Sequence, residues 1–364
     1  MARLGDFIEQ IRGVSYKPDD VCPELRENCI ALLRANNIRE GQLNFDDVVF
    51  VDKKRVHDNQ LLKAGDILIC TSSGSKELVG KAAYVQKDLP MTFGAFCKVV
   101  RPQKIRSDYL GHFFNSPNYR QKISDSSAGA NINNIRNEHI DDLEILLPTA
   151  DRQEHIAIVL NKLTNLISLR KQQLAKLDEL VKARFVEMFG DPITNSKCLA
   201  TRELIQIITL QRGYDLPVHS RDSSGNIPVY ESNGVLDYHS QNKSTCGVIT
   251  GRSGTIGKVY YCKEKFWPLN TTLFSIETYG NNIIFLAHLL EYYKLDRFHD
   301  GTGVPTLNRN VIHRQPIIDV PVSQQEIFAA FVEEVSRQKL TIQQSLDKME
   351  VLKRSLMQEY FGNR

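Results

Sequence analysis

Two long stretches of the chain place apolar residues at the heptad positions of a helix. In the first stretch the two core positions hold Leu160, Ile167, Leu174, Val181 and Met188, and Ile156, Leu163 and Leu177. In the second they hold Phe328, Val335, Ile342, Met349 and Leu356, and Val332, Leu346 and Tyr360. Apolar residues sustained over about five heptads favour a coiled coil. The alternative is two long helices that pack on separate domains.

The two stretches are copies of one sequence plan. Residues 150–190 align without gaps to residues 322–362, and the shared residues include Gln153 with Gln325. Both copies end on Phe-Gly, where the glycine predicts a helix C-cap. We therefore expect a chain built from two equivalent halves.

The segments before the two helices are predicted to be mixed, mainly β domains. Short β-rich runs, such as residues 66–70 and 247–250, are separated by glycine and asparagine turns. The predicted fold class is α+β, with two domains separated by two long antiparallel coiled-coil helices and a pseudo-twofold internal repeat. The predicted divisions are a domain over 1–148, a spacer helix over 149–190, a domain over 191–321 and a spacer helix over 322–364.

The composition is that of an ordinary globular protein. Of the 364 residues, 41% are hydrophobic and 24% are charged, and the net charge of +3 does not by itself identify a partner. The sequence contains no apolar run long enough to span a membrane and no apolar secretory region at its start, so we expect a cytoplasmic protein. The seven cysteines are scattered without a C-x-x-C pair, and we expect buried reduced thiols rather than disulfides or zinc ligands.

Both predicted domains carry a glycine motif that differs from a phosphate-binding loop in its spacing. Gly80-Lys81 ends the first motif and Gly257-Lys258 ends the second. A Walker A loop requires a further glycine five residues before the Gly-Lys pair, where the second motif has Arg252. Motifs of zinc hydrolases, of serine hydrolases and of amino-methyltransferases are also absent from the sequence. These observations argue against a catalytic chain.

The glycine turns instead present polar residues that suit contact with a nucleic acid. Arginine and lysine can reach phosphate or a guanine edge, asparagine can read adenine, and threonine offers a hydroxyl and a methyl group. For each such residue, a packing role in a strand or turn is the alternative. The candidates are Arg252, Lys258, Asn270, Thr271 and Thr272 in the second domain, and Arg34 and Asn36 in the first.

Three segments of the second domain resemble the specificity subunits of type I restriction–modification enzymes. They are LQRGYDLP at 210–217, GRSGTIGK at 251–258 and WPLNTTL at 267–273. The end of the first helix, RFVEMFGDP at 184–192, is similar to the spacer helix of that family. The resemblance covers essentially the whole chain in the family's order. The first domain departs most, because residues 90–96 stand where the second has 267–273.

The resemblance implies a non-catalytic chain that reads double-stranded DNA. Each domain would be a target-recognition domain for one half of a split DNA sequence, and the helices would dock two modification subunits. Those partners would hold S-adenosylmethionine and a restriction subunit would use ATP and magnesium, while this chain would bind no cofactor or metal and no membrane. Together with the glycine motifs, the resemblance adds Arg212, Tyr214 and Lys81 to the candidate DNA contacts.

Two other functions stay open on the sequence alone. The chain could be a coiled-coil scaffold that does not bind DNA, or a self-sufficient nucleotide-dependent enzyme. Salt-dependent duplex binding would distinguish DNA recognition from a scaffold, because phosphate contacts make DNA affinity fall steeply with salt. Turnover of a substrate by the purified chain alone would identify an enzyme.

Overall fold

The computed structural model describes residues 1–75, 77–126, 133–222, 224–300 and 303–362. The chain divides into two compact units. Unit 1 comprises residues 1–170 and 345–364, and unit 2 comprises residues 171–344. Both divisions fall inside long helices, so each unit contains a globular part and one half of each helix.

The two predicted long helices are present. The first long helix is Ala150–Phe189 and the second long helix is Val322–Phe361, each of 40 residues. Buried residues at the predicted heptad seam include Ile156, Leu160, Leu163, Ile167 and Val181 in the first, and Phe328, Val332, Val335, Ile342 and Leu346 in the second. Phe185, Phe189, Met357 and Phe361, towards the ends of the two helices, are buried outside that seam. The glycine after the first helix, Gly190, has a φ of 77°, as a left-handed C-cap requires.

Within each unit the two helix halves run antiparallel. In unit 1 the guanidinium of Arg152, near the start of the first long helix, lies 5.8 Å from the ring of Tyr360, near the end of the second. In unit 2 the order is reversed, since Arg184 lies 6.0 Å from the ring of Phe331. The prediction of a mixed α+β fold with long antiparallel helices and an internal repeat is confirmed. The predicted domain boundaries stay a prediction.

The globular part of unit 1 contains two four-stranded sheets. The first has the order Ala82–Tyr84, Ile67–Cys70, Cys97–Pro102, Ile8–Arg12 and is antiparallel. The second has the order Met91–Phe93, Cys29–Leu33, Val49–Asp52, Val21–Cys22. Two-stranded pairs join Ala2–Arg3 with Glu144–Ile145, Ile38–Arg39 with Gln42–Leu43, and Ser72–Ser73 with Asn133–Asn134. The short α-helices are Ser107–Phe113, Pro117–Ser126 and Asn137–Asp141.

The globular part of unit 2 repeats this plan. Its antiparallel sheet has the order Thr209–Arg212, Thr272–Glu277, Gly247–Gly251, Val259–Cys262. Its second sheet has the order Gly234–His239, Ile227–Glu231, Trp267–Pro268. Two-stranded pairs join Thr201–Glu203 with Pro316–Ile318 and His299–Asp300 with Thr306–Leu307. The short α-helices are Ile283–Tyr293 and Arg309–His313.

Matching backbone hydrogen bonds fix which residues of the two units are equivalent. The amide of Thr71 donates to the carbonyl of Phe96 at 2.9 Å, and the amide of Arg252 donates to that of Thr271 at 2.8 Å. The carbonyls of Thr71 and Arg252 in turn accept from Ile135 and Leu307, both at 2.8 Å. Thr71 is therefore equivalent to Arg252, and Phe96 to Thr271.

The repeated Phe-Gly ends of the long helices pack in the same way in both units. The ring of Phe361 lies 5.1 Å from that of Tyr109 in unit 1, and the ring of Phe189 lies 5.1 Å from that of Phe285 in unit 2. All four rings belong to the main cores of their units. Aromatic packing thus attaches each helix end to its globular part in both copies of the repeat.

The repeated glutamine near the start of each long helix is a buried polar link. In unit 1 the side chain of Gln153 accepts from the amide of Arg106 at 3.1 Å and donates to the carbonyl of Pro148 at 2.9 Å. In unit 2 the side chain of Gln325 accepts from the amide of Asn282 at 2.9 Å. It also donates to Asn281 and to the carbonyl of Val320, both at 2.7 Å.

We expect Gln325→Ala to lower the free energy of unfolding by roughly 2 kcal/mol, because it leaves buried backbone groups without partners. Gln153→Ala removes fewer hydrogen bonds and should have the smaller effect. Urea unfolding of the purified chain measures both changes. Gln324→Ala, at the exposed residue next to Gln325, is the control. Equal stability of the Gln325 and Gln324 variants would contradict this account.

The expectation that all cysteines are buried reduced thiols is wrong. Cys22 and Cys29, seven positions apart, form a disulfide in which their Cα atoms are 6.6 Å apart. Cys70 and Cys97 are buried free thiols, whereas Cys198 and Cys246 are exposed. Across the described ranges, no helix has the length and apolar character needed to cross a membrane.

Candidate nucleic-acid interface

Unit 2 contains a cleft lined by three arginines, which we call the second cleft. Its volume is about 370 Å³, and Arg212, Arg252, Arg309, Asn308 and Asn310 line it. Arg212 ends a strand of the main sheet, Arg252 follows another strand of that sheet, and Arg309 begins a short helix. The sheet and this helix thus bring together residues that are up to 97 positions apart in the sequence.

A buried histidine fixes the helix that carries Arg309. The Nε2 atom of His313 accepts a hydrogen bond from the amide of Leu210 at 3.0 Å, which anchors the helix to the start of the strand that ends at Arg212. Burial lowers the pKa of His313, and the positive charge of Arg309 lowers it further. A neutral imidazole that accepts at Nε2 is consistent with this environment.

Unit 1 contains an equivalent cleft, which we call the first cleft. Its volume is about 550 Å³, and Gln10, Arg12, Phe96, Lys98, Asn134 and Asn137 are among its lining residues. Arg12 and Arg212 are equivalent, because each ends a strand of the main sheet and precedes a glycine.

The two glycines explain why this Arg-Gly pair repeats. A Cβ on Gly13 would lie 2.1 Å from the carbonyl oxygen of Gly94, and one on Gly213 would lie 2.2 Å from that of Leu269. The backbone passes so close to the next strand that no side chain fits at either glycine. The arginine before each glycine lines the cleft.

Apart from the shared arginine, Arg12 or Arg212, the cations of the two clefts occupy different positions of the repeat. Lys98 in the first cleft corresponds to Leu273 in the second, and Arg252 in the second corresponds to Thr71 in the first. Lys98 is 7% exposed and donates to Gln10 at 2.7 Å and to Asn137 at 2.5 Å. Burial lowers its pKa. The two clefts therefore share a shape but present different donors.

The charges in the clefts favour an anionic ligand. Within the part of the chain that the structure describes, none of Arg12, Arg212, Arg252 and Arg309 forms an ion pair with a carboxylate. Arg252 instead donates to the carbonyl of Asn270 at 3.4 Å. Guanidinium groups without a carboxylate partner, with asparagine amides beside them, can bind phosphates and hydrogen-bond to base edges.

The structure brings together some of the predicted site residues of unit 2. Arg212 and Arg252 share the second cleft, and the carbonyl of Thr271 holds the amide of Arg252. Asn270 donates to Asp215, and Tyr214 lies 5.9 Å from the ring of Phe274. Lys258 is exposed outside the cleft.

Thr272 does not belong to a surface site. It is fully buried, and its Oγ1 atom donates to the carbonyl of Leu269 at 2.8 Å. This bond closes the turn before the strand Thr272–Glu277, so the residue has a structural role in this conformation. The prediction that Thr272 contacts DNA conflicts with this placement, since a contact would require the strand to open.

The predicted residues of unit 1 lie apart from the first cleft. Arg34 and Asn36 both donate to Asp47, at 2.8 and 2.6 Å, and border an apolar groove of about 870 Å³. Lys81 lines a different cavity, of about 470 Å³, together with His112. Lys81 nevertheless occupies the position in unit 1 that Lys258 occupies in unit 2. The carbonyl of each lysine accepts a hydrogen bond from a backbone amide of the neighbouring strand.

Sequence reasoning missed Arg12, Lys98 and Arg309. A signal for the first was available, since the dipeptide Arg12-Gly13 recurs as Arg212-Gly213. Lys98 and Arg309 have no such signal, because only strand pairing and the placement of the helix Arg309–His313 bring them to the clefts.

Comparison with known proteins identifies the family. The sequence model of the type I restriction modification DNA specificity domain matches residues 4–179 and 199–351. The chain belongs to this family. Its two matched segments begin close to the starts of the two globular parts, so the internal repeat is a repeat of the family's domain.

Curated relatives match over part of the chain. The specificity subunit of the type I restriction enzyme EcoKI from Escherichia coli K12 is 41% identical over 173 residues. That of StySPI from Salmonella potsdam is 40% identical over 173 residues. Each alignment covers 47% of this chain and 37% of the relative. The match therefore spans less than half the length of these relatives.

Solved structures match over the full chain. The S subunit of a type I restriction–modification system from M. genitalium has a TM-score of 0.67 at 13% identity, covering 100% of this chain and 96% of the other. A chain from a structure on the complex assembly and conformational transition of the type I system has a TM-score of 0.55 at 12% identity, with 100% of both chains covered. At these identities the matches establish the fold.

Proposed function

We propose that this chain is the non-catalytic DNA-recognition subunit of a type I restriction–modification complex. One observation carries the proposal: equivalent clefts occur in both units, and each has an arginine at the same position, Arg12 or Arg212, that pairs with no carboxylate among the described residues. Two similar clefts with different donors suit a bipartite target in which each unit reads one half. Membership of the family supports the same function.

Salt-dependent binding tests this function against that of a DNA-independent scaffold. The purified chain is titrated with a duplex at several salt concentrations. We expect log K to fall linearly with log salt, with a slope of about −0.9 for each phosphate that is neutralised. If the chain does not bind DNA even at low salt, the scaffold function is favoured. If the chain alone turns over a nucleotide, an enzyme is favoured.

The long helices are proposed to dock two methyltransferase subunits. Leu180 and Leu352 occupy the same position of the repeat and are 47% and 51% exposed. Exposed apolar residues at equivalent positions offer two similar surfaces, as two identical partner subunits require. The partner subunits, rather than this chain, would bind S-adenosylmethionine, and a restriction subunit would supply ATP- and magnesium-dependent activity.

Leu180→Ser and Leu352→Ser should each reduce the number of bound methyltransferase subunits from two to one without loss of folding. Native mass spectrometry of the reconstituted complex counts the subunits. Leu169→Ser is the matched control, because Leu169 is 59% exposed but its repeat counterpart is the polar Thr341. Full occupancy in both test variants would exclude these leucines from the docking surface.

A further inference from the structure

Phe96 is an exposed aromatic residue on a fixed segment of backbone. Its side chain is 72% exposed. Its carbonyl accepts hydrogen bonds from the amides of Thr71 at 2.9 Å and Ser72 at 3.2 Å, and from the Thr71 hydroxyl at 3.2 Å. The adjacent amide of Ala95 donates to Val14 at 2.9 Å. The fold thus holds this apolar side chain in water, at a cost in hydrophobic free energy that a bound partner would remove.

Phe96 lies between a cationic cleft and an apolar groove. On one side it lines the first cleft together with Arg12 and Lys98. On the other it lines the apolar groove that Arg34 and Asn36 border. An apolar ring beside a cationic cleft fits a partner that combines negative charge with flat apolar surface, and duplex DNA has both.

The equivalent residue in unit 2 shows that the fold does not need an aromatic side chain here. Thr271 makes the same two carbonyl contacts, with Arg252 and Ser253, at 2.8 and 3.2 Å. The repeat therefore keeps the backbone arrangement and varies the side chain. A residue that distinguishes one ligand from another needs a fixed backbone and a side chain that can differ between the two units, and this position has both.

We propose that Phe96 is a specificity-determining residue that contacts the methyl group of a thymine in the half-site read by unit 1. This inference rests on the proposed function. A phenyl ring cannot hydrogen-bond to a base edge, and the thymine methyl is the apolar feature of the major groove. The hydrogen-bonding side chains of the adjoining cleft, Gln10, Lys98 and Asn137, suit the major groove as well, where donor and acceptor patterns distinguish every base pair.

The test uses the full chain assembled with its methyltransferase partner and a duplex carrying the target found by methylation mapping. Each thymine of the half-site is replaced in turn by deoxyuridine, which removes only the methyl group. For the unmodified chain, one replacement should weaken binding about fourfold, as expected for one buried methyl-sized group. For Phe96→Ala, the same replacement should have no effect, and the affinity for the thymine duplex should already be about tenfold lower.

Two further variants complete the experiment. Phe96→Thr introduces the residue of unit 2 and should behave like Phe96→Ala, whereas Phe45→Ala should retain the fourfold response, because Phe45 is 47% exposed and lines neither cavity. Equal deoxyuridine responses in the unmodified chain and Phe96→Ala would overturn the proposal. So would a loss of affinity for Phe96→Ala that is the same for target and unrelated duplexes. If the unmodified complex does not distinguish the target duplex from an unrelated duplex, the proposed function itself is overturned.

Discussion

Replacement of Arg212, Arg252 and Arg309 by alanine together is expected to lower the affinity of the complex for its target duplex by roughly two to four orders of magnitude. This range corresponds to a loss of about 1–2 kcal/mol of binding free energy for each arginine that contacts a base or phosphate. The three side chains line one cleft and form no ion pair with a carboxylate within the described ranges. Their removal therefore breaks no ion pair, and the melting temperature should be unchanged.

The salt dependence of binding shows which kind of contact is lost. If all three arginines contact phosphate, the slope of log K against log salt becomes shallower by about three units. An arginine that contacts guanine instead costs about 1–3 kcal/mol at one base pair and relaxes the preference there. Lys258→Ala, which removes an exposed cation outside the cleft, should weaken binding to all duplexes by a smaller and uniform factor.

A charge-matched variant controls for the loss of positive charge. Lys182, Lys265 and Lys294 are exposed cations of the same unit that do not line the cleft. Their combined replacement by alanine removes the same three charges, and we expect less than a tenfold change in affinity, since screened charges at a distance contribute little. Similar losses in both triple variants would show that net charge, rather than the second cleft, determines binding.

Insertion of one heptad into each long helix should lengthen the spacer between the two half-sites by about three base pairs. A heptad adds about 10 Å to a helix while keeping the same residues on the seam, and a base pair occupies about 3.4 Å of duplex. The insertions are placed between Arg170 and Leu174 and between Ile342 and Leu346. These points coincide with the division between the two units in both helices.

A four-residue insertion at the same points is the control for phase. It shifts the heptad register and with it the rotation of one helix half against the other, so activity should fall instead of moving to a longer spacer. Methylation mapping of cells that express each variant gives the half-sites and the spacer together. Full activity with an unchanged spacer in the heptad variant would mean that the helices do not set the distance.

The helices and the repeat could be predicted because their signals are local or periodic. Heptads identify Leu160 and Val335 as seam residues directly, and both are buried. The repeated Gln153 and Gln325 were visible as a match, but their role was not, since it depends on the amides of Arg106 and Asn282 in distant segments. Periodicity specifies which face of a helix is buried, but not which polar groups meet there.

The clefts were only partly predictable, because each gathers residues from four separate segments. Arg252 stood out through its glycine turn and Arg212 through the family resemblance, whereas Lys98 lies inside an apolar strand and resembles a core position. Thr272 shows the opposite error, because a polar residue in a turn motif proved to be buried with its hydroxyl bonded to Leu269. Composition indicates which residues can bind a ligand, and tertiary packing decides which of them reach one surface.

Exchange of one globular part tests most directly the central claim that each unit reads one half of the target. Residues 191–321 are replaced by the matching segment of another specificity subunit whose target is known, and the methylation pattern is mapped in cells that also express the methyltransferase partner. We expect a hybrid motif in which one half-site is that of the donor and the other is unchanged. A motif in which both halves change, or a pattern that does not depend on the exchanged segment, would contradict it.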